Sequence, residues 1–183
     1  MTKKELFLAI GIIAVVMIGM LYLTAPRELT VKGDLSGPVE FGNWTTRLLY
    51  YKEADLAHVS TLAEMNGHIL ISISHSGDTV VTYIKVTIKS PGDGTVYFLF
   101  PEGGPWKNIR IEKQFEDYLT INVVELSDLG ILGKGTITLE YSIAPICDFT
   151  HPVEVSVEIH LRNGLQRYSG KVHFVYDFCS RTN

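Results

Sequence analysis

Two hydrophobic patterns divide this 183-residue chain. From Leu6 to Leu23 the sequence LFLAIGIIAVVMIGMLYL is apolar at nearly every position and carries no charge. Beyond it the apolar residues fall at every second place: Ile69, Ile71, Ile73; Ile84, Val86, Ile88; Ile137, Leu139, Tyr141, Ile143; Val153, Val155, Val157, Ile159, Leu161. The continuous run predicts a helix about 27 Å long, close to the roughly 30 Å of a bilayer's hydrocarbon core. Strict alternation predicts strands with one face in a core and the other in water.

Further strands are expected at 29–35, 43–51, 95–100, 108–113, 118–126 and 168–178. About nine or ten short strands with frequent turn signals, and no alternation of strand and helix, suit an antiparallel sandwich. The expected fold is therefore all-β: a two-sheet, immunoglobulin-like β-sandwich preceded by one N-terminal transmembrane helix. Ala54 to Met65 is ambiguous, because Leu56, Val59 and Leu62 also fit a helical stripe with Asp55 as its cap.

Two hairpins can be given a register. Asn163-Gly164 is a favoured pair for a two-residue turn. Centring the turn there sets Ile159 against Tyr168, Val157 against Gly170, Val155 against Val172 and Val153 against Phe174. Gly77-Asp78 suggests a second hairpin, with Ile71 against Ile84 and Ile69 against Val86.

The flanks of the apolar run orient it. Lys3 and Lys4 precede it and only Arg27 closely follows, so the positive-inside rule places residues 1–5 in the cytoplasm as a tip. Residues 6–23 form a single-pass signal anchor. Residues 24–42 form a stalk with a first edge strand, and 43–183 form an extracytoplasmic domain. The competing reading is a cleaved secretory signal. The run exceeds the usual apolar stretch of such signals, and Pro26 would follow the cut at Leu23-Thr24-Ala25.

Composition changes the picture in two places. Of 16 basic and 20 acidic residues, two lysines and one glutamate precede residue 26, so the exported part carries 14 and 19, a net charge of −5. Such a surface has no electrostatic footprint for nucleic acid, and it suggests a domain standing off anionic lipid. Only two cysteines occur, Cys147 and Cys179. The terminal hairpin's register, continued past its last pair, sets Cys179 opposite position 148. A disulfide between Cys147 and Cys179 is expected in an oxidising compartment, tying down the C-terminal strand. The alternative is a metal or redox centre of Cys147, His151 and Cys179, with Asp148 or Asp177 as a fourth ligand.

Candidate chemistry is otherwise sparse. No nucleophile elbow, zinc-protease motif, P-loop or dinucleotide fingerprint is present, and no cofactor is implied. The six histidines read as surface residues in cross-strand pairs. Asn43-Trp44-Thr45 is a glycosylation sequon. The stretch from Tyr97 to Trp106 is apolar at both parities and ends in a Pro- and Gly-rich loop; Phe98, Phe100 and Trp106 are its candidates for binding a partner on an edge strand.

The expected role is non-enzymatic: structural, or binding another protein. The layout of short tip, single helix and single sandwich is similar in architecture to small envelope and motility-stator proteins of prokaryotes, which implies an envelope or appendage protein as partner. An alternative is a subunit of a membrane complex or filament, an oligomer assembled through the helix at Gly11 and Gly19.

Overall fold

The computed structural model describes residues 2–33, 39, 41–75, 78–99, 108–127, 136–143 and 151–178. Helix α1 (Lys3–Thr24) begins before the apolar run because Thr2 and Glu5 form a capping box, each side chain bonding the other's backbone N–H. None of its residues is buried.

Among the described residues twelve strands follow: β1 (Pro26–Glu28), β2 (Thr30–Lys32), β3 (Trp44–Tyr51), β4 (Ala54–Ala63), β5 (His68–His75), β6 (Val80–Pro91), β7 (Gly94–Leu99), β8 (Asn108–Glu116), β9 (Leu119–Ser127), β10 (Thr136–Ile143), β11 (Val153–Asn163) and β12 (Gln166–Tyr176). They form two six-stranded sheets, ordered β1-β12-β11-β6-β9-β8 and β2-β3-β4-β5-β10-β7. All pairings are antiparallel except β1 with β12. The two-sheet sandwich expected from the alternation is present.

One core fills the space between the sheets. Ile69, Ile71 and Ile73 of β5, Ile84, Val86 and Ile88 of β6, and the alternate valines of β11 are all essentially inaccessible to solvent. The segment from Ala54 is a strand, with Ala57, Val59, Thr61 and Ala63 facing inward and His58, Ser60 and Leu62 outward. Pairing with β3 on one side and β5 on the other settles what the helical stripe left open.

Both registers change. In the terminal hairpin Asn163 pairs with Gln166, so the two-residue turn is Gly164-Leu165 and every pair shifts by two: Ile159 meets Gly170, Val155 meets Phe174, Val153 meets Tyr176. Gly164 alone takes a positive φ of 57°, as a turn with glycine in its first central position requires, and Asn163 stays in the strand. A shift of two preserves both faces, which explains why the alternation could not detect it. The second hairpin does not exist. β5 pairs with β4 and β10 while β6 pairs with β11 and β9, so the two strands belong to different sheets. Inward-facing isoleucines on both strands are equally satisfied across the core as within a sheet.

Candidate functional site: the helix-proximal end and the open edges

A single residue, Ala25, separates α1 from β1. β1 runs parallel to β12 with Pro26 opposite Arg167, so the beginning of β12 and the Gly164-Leu165 turn lie at the end of the sandwich where the helix leaves it. Leu29 then passes the chain from one sheet to the other, its N–H donating to the Ser169 carbonyl at 2.7 Å, and β2 adds to β3. The first edge strand expected within 24–42 is thus two short ones, one on each sheet. Tyr51 of β3 and Tyr168 of β12 meet edge to face with centroids 5.2 Å apart, and the Arg27 guanidinium lies 5.1 Å from the Tyr51 ring. Cationic and aromatic groups therefore line the side of the domain nearest the helix.

Beside Pro26 a cavity of about 350 Å³ opens on the outer face of the β6-β11-β12 sheet. Arg162 and Arg167, exposed and directly opposite each other, flank it together with His160, Ser169 and Thr82. Between His160 and Leu161 the register with β6 slips, leaving Thr82 as the extra residue of a bulge. Bulges re-aim side chains and recur beside functional sites. The Thr82 hydroxyl donates to the His160 carbonyl at 3.2 Å. His160 Nε2 is 2.8 Å from Glu158 Oε1, which leaves the two arginines without an ion pair among the described residues.

The opposite edge differs. β8 closes one sheet and is exposed along both faces, with Ile109, Ile111 and Phe115 open to solvent. Through their partners Leu126, Val124 and Thr120 these three lie on the inward side of the sheet. β7, covering most of the 95–100 stretch, is the edge of the other sheet, as a strand offering itself to a partner must be. Phe98 pairs in register with Leu139 on β7. Phe100 and Trp106 lie outside the described residues, as do Cys147, Asp148 and Cys179. His151 is exposed, and among the described residues no three His, Cys, Asp or Glu side chains gather as a metal site. Asn43 is exposed just before β3.

Histidines elsewhere make local contacts: His68 Nδ1 with Glu140 Oε1 at 2.6 Å, His173 Nδ1 with Ser156 Oγ at 3.0 Å, and His58 with Asp55. Sequence reasoning missed two polar groups inside the sandwich. Arg47 of β3 is 4% exposed; its guanidinium stacks 4.7 Å from the Phe174 ring and donates to the His173 carbonyl. Tyr141 is fully buried, with its hydroxyl 2.5 Å from Ser90 Oγ and 3.5 Å from Asn122 Nδ2. Burial pushes the Tyr141 and Tyr176 phenols above the usual range. Tyr83, through burial and then its bond to Glu125, is pushed up to about 12. Hydrogen bonds from Lys85 and Tyr83 hold the Glu125 carboxyl below its ordinary value.

A helix with no buried residue, one residue away from the first strand of a two-sheet sandwich, defines the class: a β-sandwich carrying an apolar N-terminal helix. Residues 42–178 match the family described as a domain of unknown function, DUF8121, and the chain belongs to that family. The match begins after α1, β1 and β2, the segment that joins helix to sandwich. No curated protein matches the chain.

Proposed function

We propose that the chain is a membrane-anchored, extracytoplasmic β-sandwich with a non-enzymatic role, structural or in binding a protein partner at the cell envelope. The observation that carries this reading is that α1 buries none of its residues. Phe7, Leu8, Val15, Ile18 and Leu21 are each about two-thirds or more exposed, and no residue of the helix is buried. A core helix buries one face at least, whereas a helix apolar all round with no buried residue suits lipid. Lys3 and Lys4 on its N-terminal side favour the sandwich lying outside. The open edges β7 and β8, the latter with three exposed apolar side chains, favour strand addition as the mode of recognition.

Topology reporters test it. Full-length fusions should give active alkaline phosphatase and dark green fluorescent protein at the C-terminus, and the chain should stay in membranes washed with alkaline carbonate. Release by carbonate overturns the anchor, and a fluorescent fusion overturns the outward orientation. An intact mass that begins at Pro26 makes α1 a cleaved signal instead.

A further inference from the structure

We propose that the cavity beside Pro26 binds the phosphate of an anionic membrane lipid. Arg162 and Arg167 face each other across β11 and β12. They are directly paired neighbours on adjacent antiparallel strands, so their Cα atoms are about 5 Å apart and their side chains leave the same face. Like charges directly opposed across a ladder destabilise it. Neither arginine has a carboxylate partner among the described residues: Glu158 is hydrogen-bonded to His160, and Glu28, opposite Ser169 on β1, forms no ion pair. Two unneutralised guanidiniums sharing a concave site are the chemistry that grips a phosphate, since each presents a planar fork matching two oxygens. Ser169 and the bulged Thr82 add hydroxyls for a polyol headgroup.

Position selects the source of that phosphate. This step rests on the reading of α1 as a membrane span. The last residue of the apolar run is Leu23, and Pro26, which lines the cavity, follows three residues later. Three residues reach at most about 10 Å, and the headgroup layer beyond the hydrocarbon is itself about 5–8 Å deep. The cavity is therefore held at headgroup level by the covalent chain. Leu165, 64% exposed at the tip of the turn between the two arginines, supplies an apolar contact at the same end. An acidic domain thus turns its one opposed arginine pair among the described residues towards the lipid. The expectation of a domain standing off the membrane, drawn from net charge, gives way locally to the placement of these residues.

The test uses the full chain in maltoside micelles, titrated with monomeric dihexanoyl-phosphatidylglycerol and followed by calorimetry. Saturable binding is expected, with dihexanoyl-phosphatidylcholine and inorganic phosphate each about tenfold weaker or more. Arg162→Gln with Arg167→Gln should lose about tenfold or more, the double lysine variant should fall between, and melting should not fall, because both side chains are exposed and the glutamines relieve the like-charge pair. Equal binding of the two lipids, or undiminished binding by the glutamine variant, overturns the site. Inorganic phosphate binding as tightly as phosphatidylglycerol overturns the lipid in favour of free phosphate. The micelle titration does not depend on topology. A chain that carbonate releases therefore sinks the anchor while the titration judges the cavity, and a retained chain with no lipid binding sinks the cavity alone.

Discussion

Gly94 sits where Tyr141 needs the space. A Cβ built on Gly94 would lie 1.9 Å from the Tyr141 hydroxyl oxygen, 2.1 Å from Cζ and 2.6 Å from Cε2. To restore ordinary contact the ring would have to retreat by about 1.5 Å. It has nowhere to go, because Tyr141 is fully enclosed and anchored at 2.5 Å to Ser90 Oγ. Overpacking of this kind costs about 1–3 kcal/mol, and the hydrogen bond that the ring must abandon adds about 1. Gly94→Ala should therefore remove about 2–4 kcal/mol, a large part of the roughly 5–15 that a domain has. In urea the midpoint should fall by about 1–2 M, read by circular dichroism on the full chain in micelles. The sign should reverse when Tyr141 is absent. Gly94 does not use a positive φ, so without the clash Ala only restricts the unfolded chain, which stabilises by about 0.4–1 kcal/mol. In a Tyr141→Ala background, itself weaker by about 3–5 kcal/mol, Gly94→Ala should be neutral or stabilising. An equal loss in both backgrounds would falsify the steric reasoning.

Two other outcomes follow from the same core. The buried phenols of Tyr141 and Tyr176, with raised folded pKa, hold their protons more tightly in the native state, so stability stays intact below about pH 10 and declines as pH climbs from there through the raised values. The slope should reach about 1.4 kcal/mol per pH unit for each buried tyrosine. Melting against pH, with absorbance at 295 nm, reads this: if all nine tyrosines ionise near pH 10 while the fold persists, the reasoning fails. Gly170→Ala would bring a Cβ to 2.8 Å from both Leu29 Cβ and Leu49 Cδ2, costing about 1–3 kcal/mol. Hydrogen exchange at the Leu29 amide should then accelerate, and an unchanged rate would show that the joint between helix and sandwich does not depend on this contact.

What could be read from the chain alone was whatever depends on period. A run without charge specifies a helix suited to lipid, and alternation specifies which side chains of β5, β6, β10 and β11 turn inward, because both signals are local and survive any arrangement of neighbours. Pairing is not local. Ile71 and Ile84 are buried equally well side by side or across the core, so alternation could not tell a hairpin from a crossover between sheets. The terminal turn failed for a related reason: a slip of two keeps every face, and only the backbone at Gly164 decides between the alternatives. Arg47 and Tyr141 look like ordinary members of their strands until the opposite sheet supplies the Phe174 ring and the Ser90 hydroxyl. The cavity was the least legible feature, since Pro26 and Arg167 are far apart in the chain and meet only through the parallel pairing of β1 with β12. Sequence determined where the grease lies and which way side chains face; tertiary structure decided which polar groups meet, because a contact between distant strands is written in no local pattern.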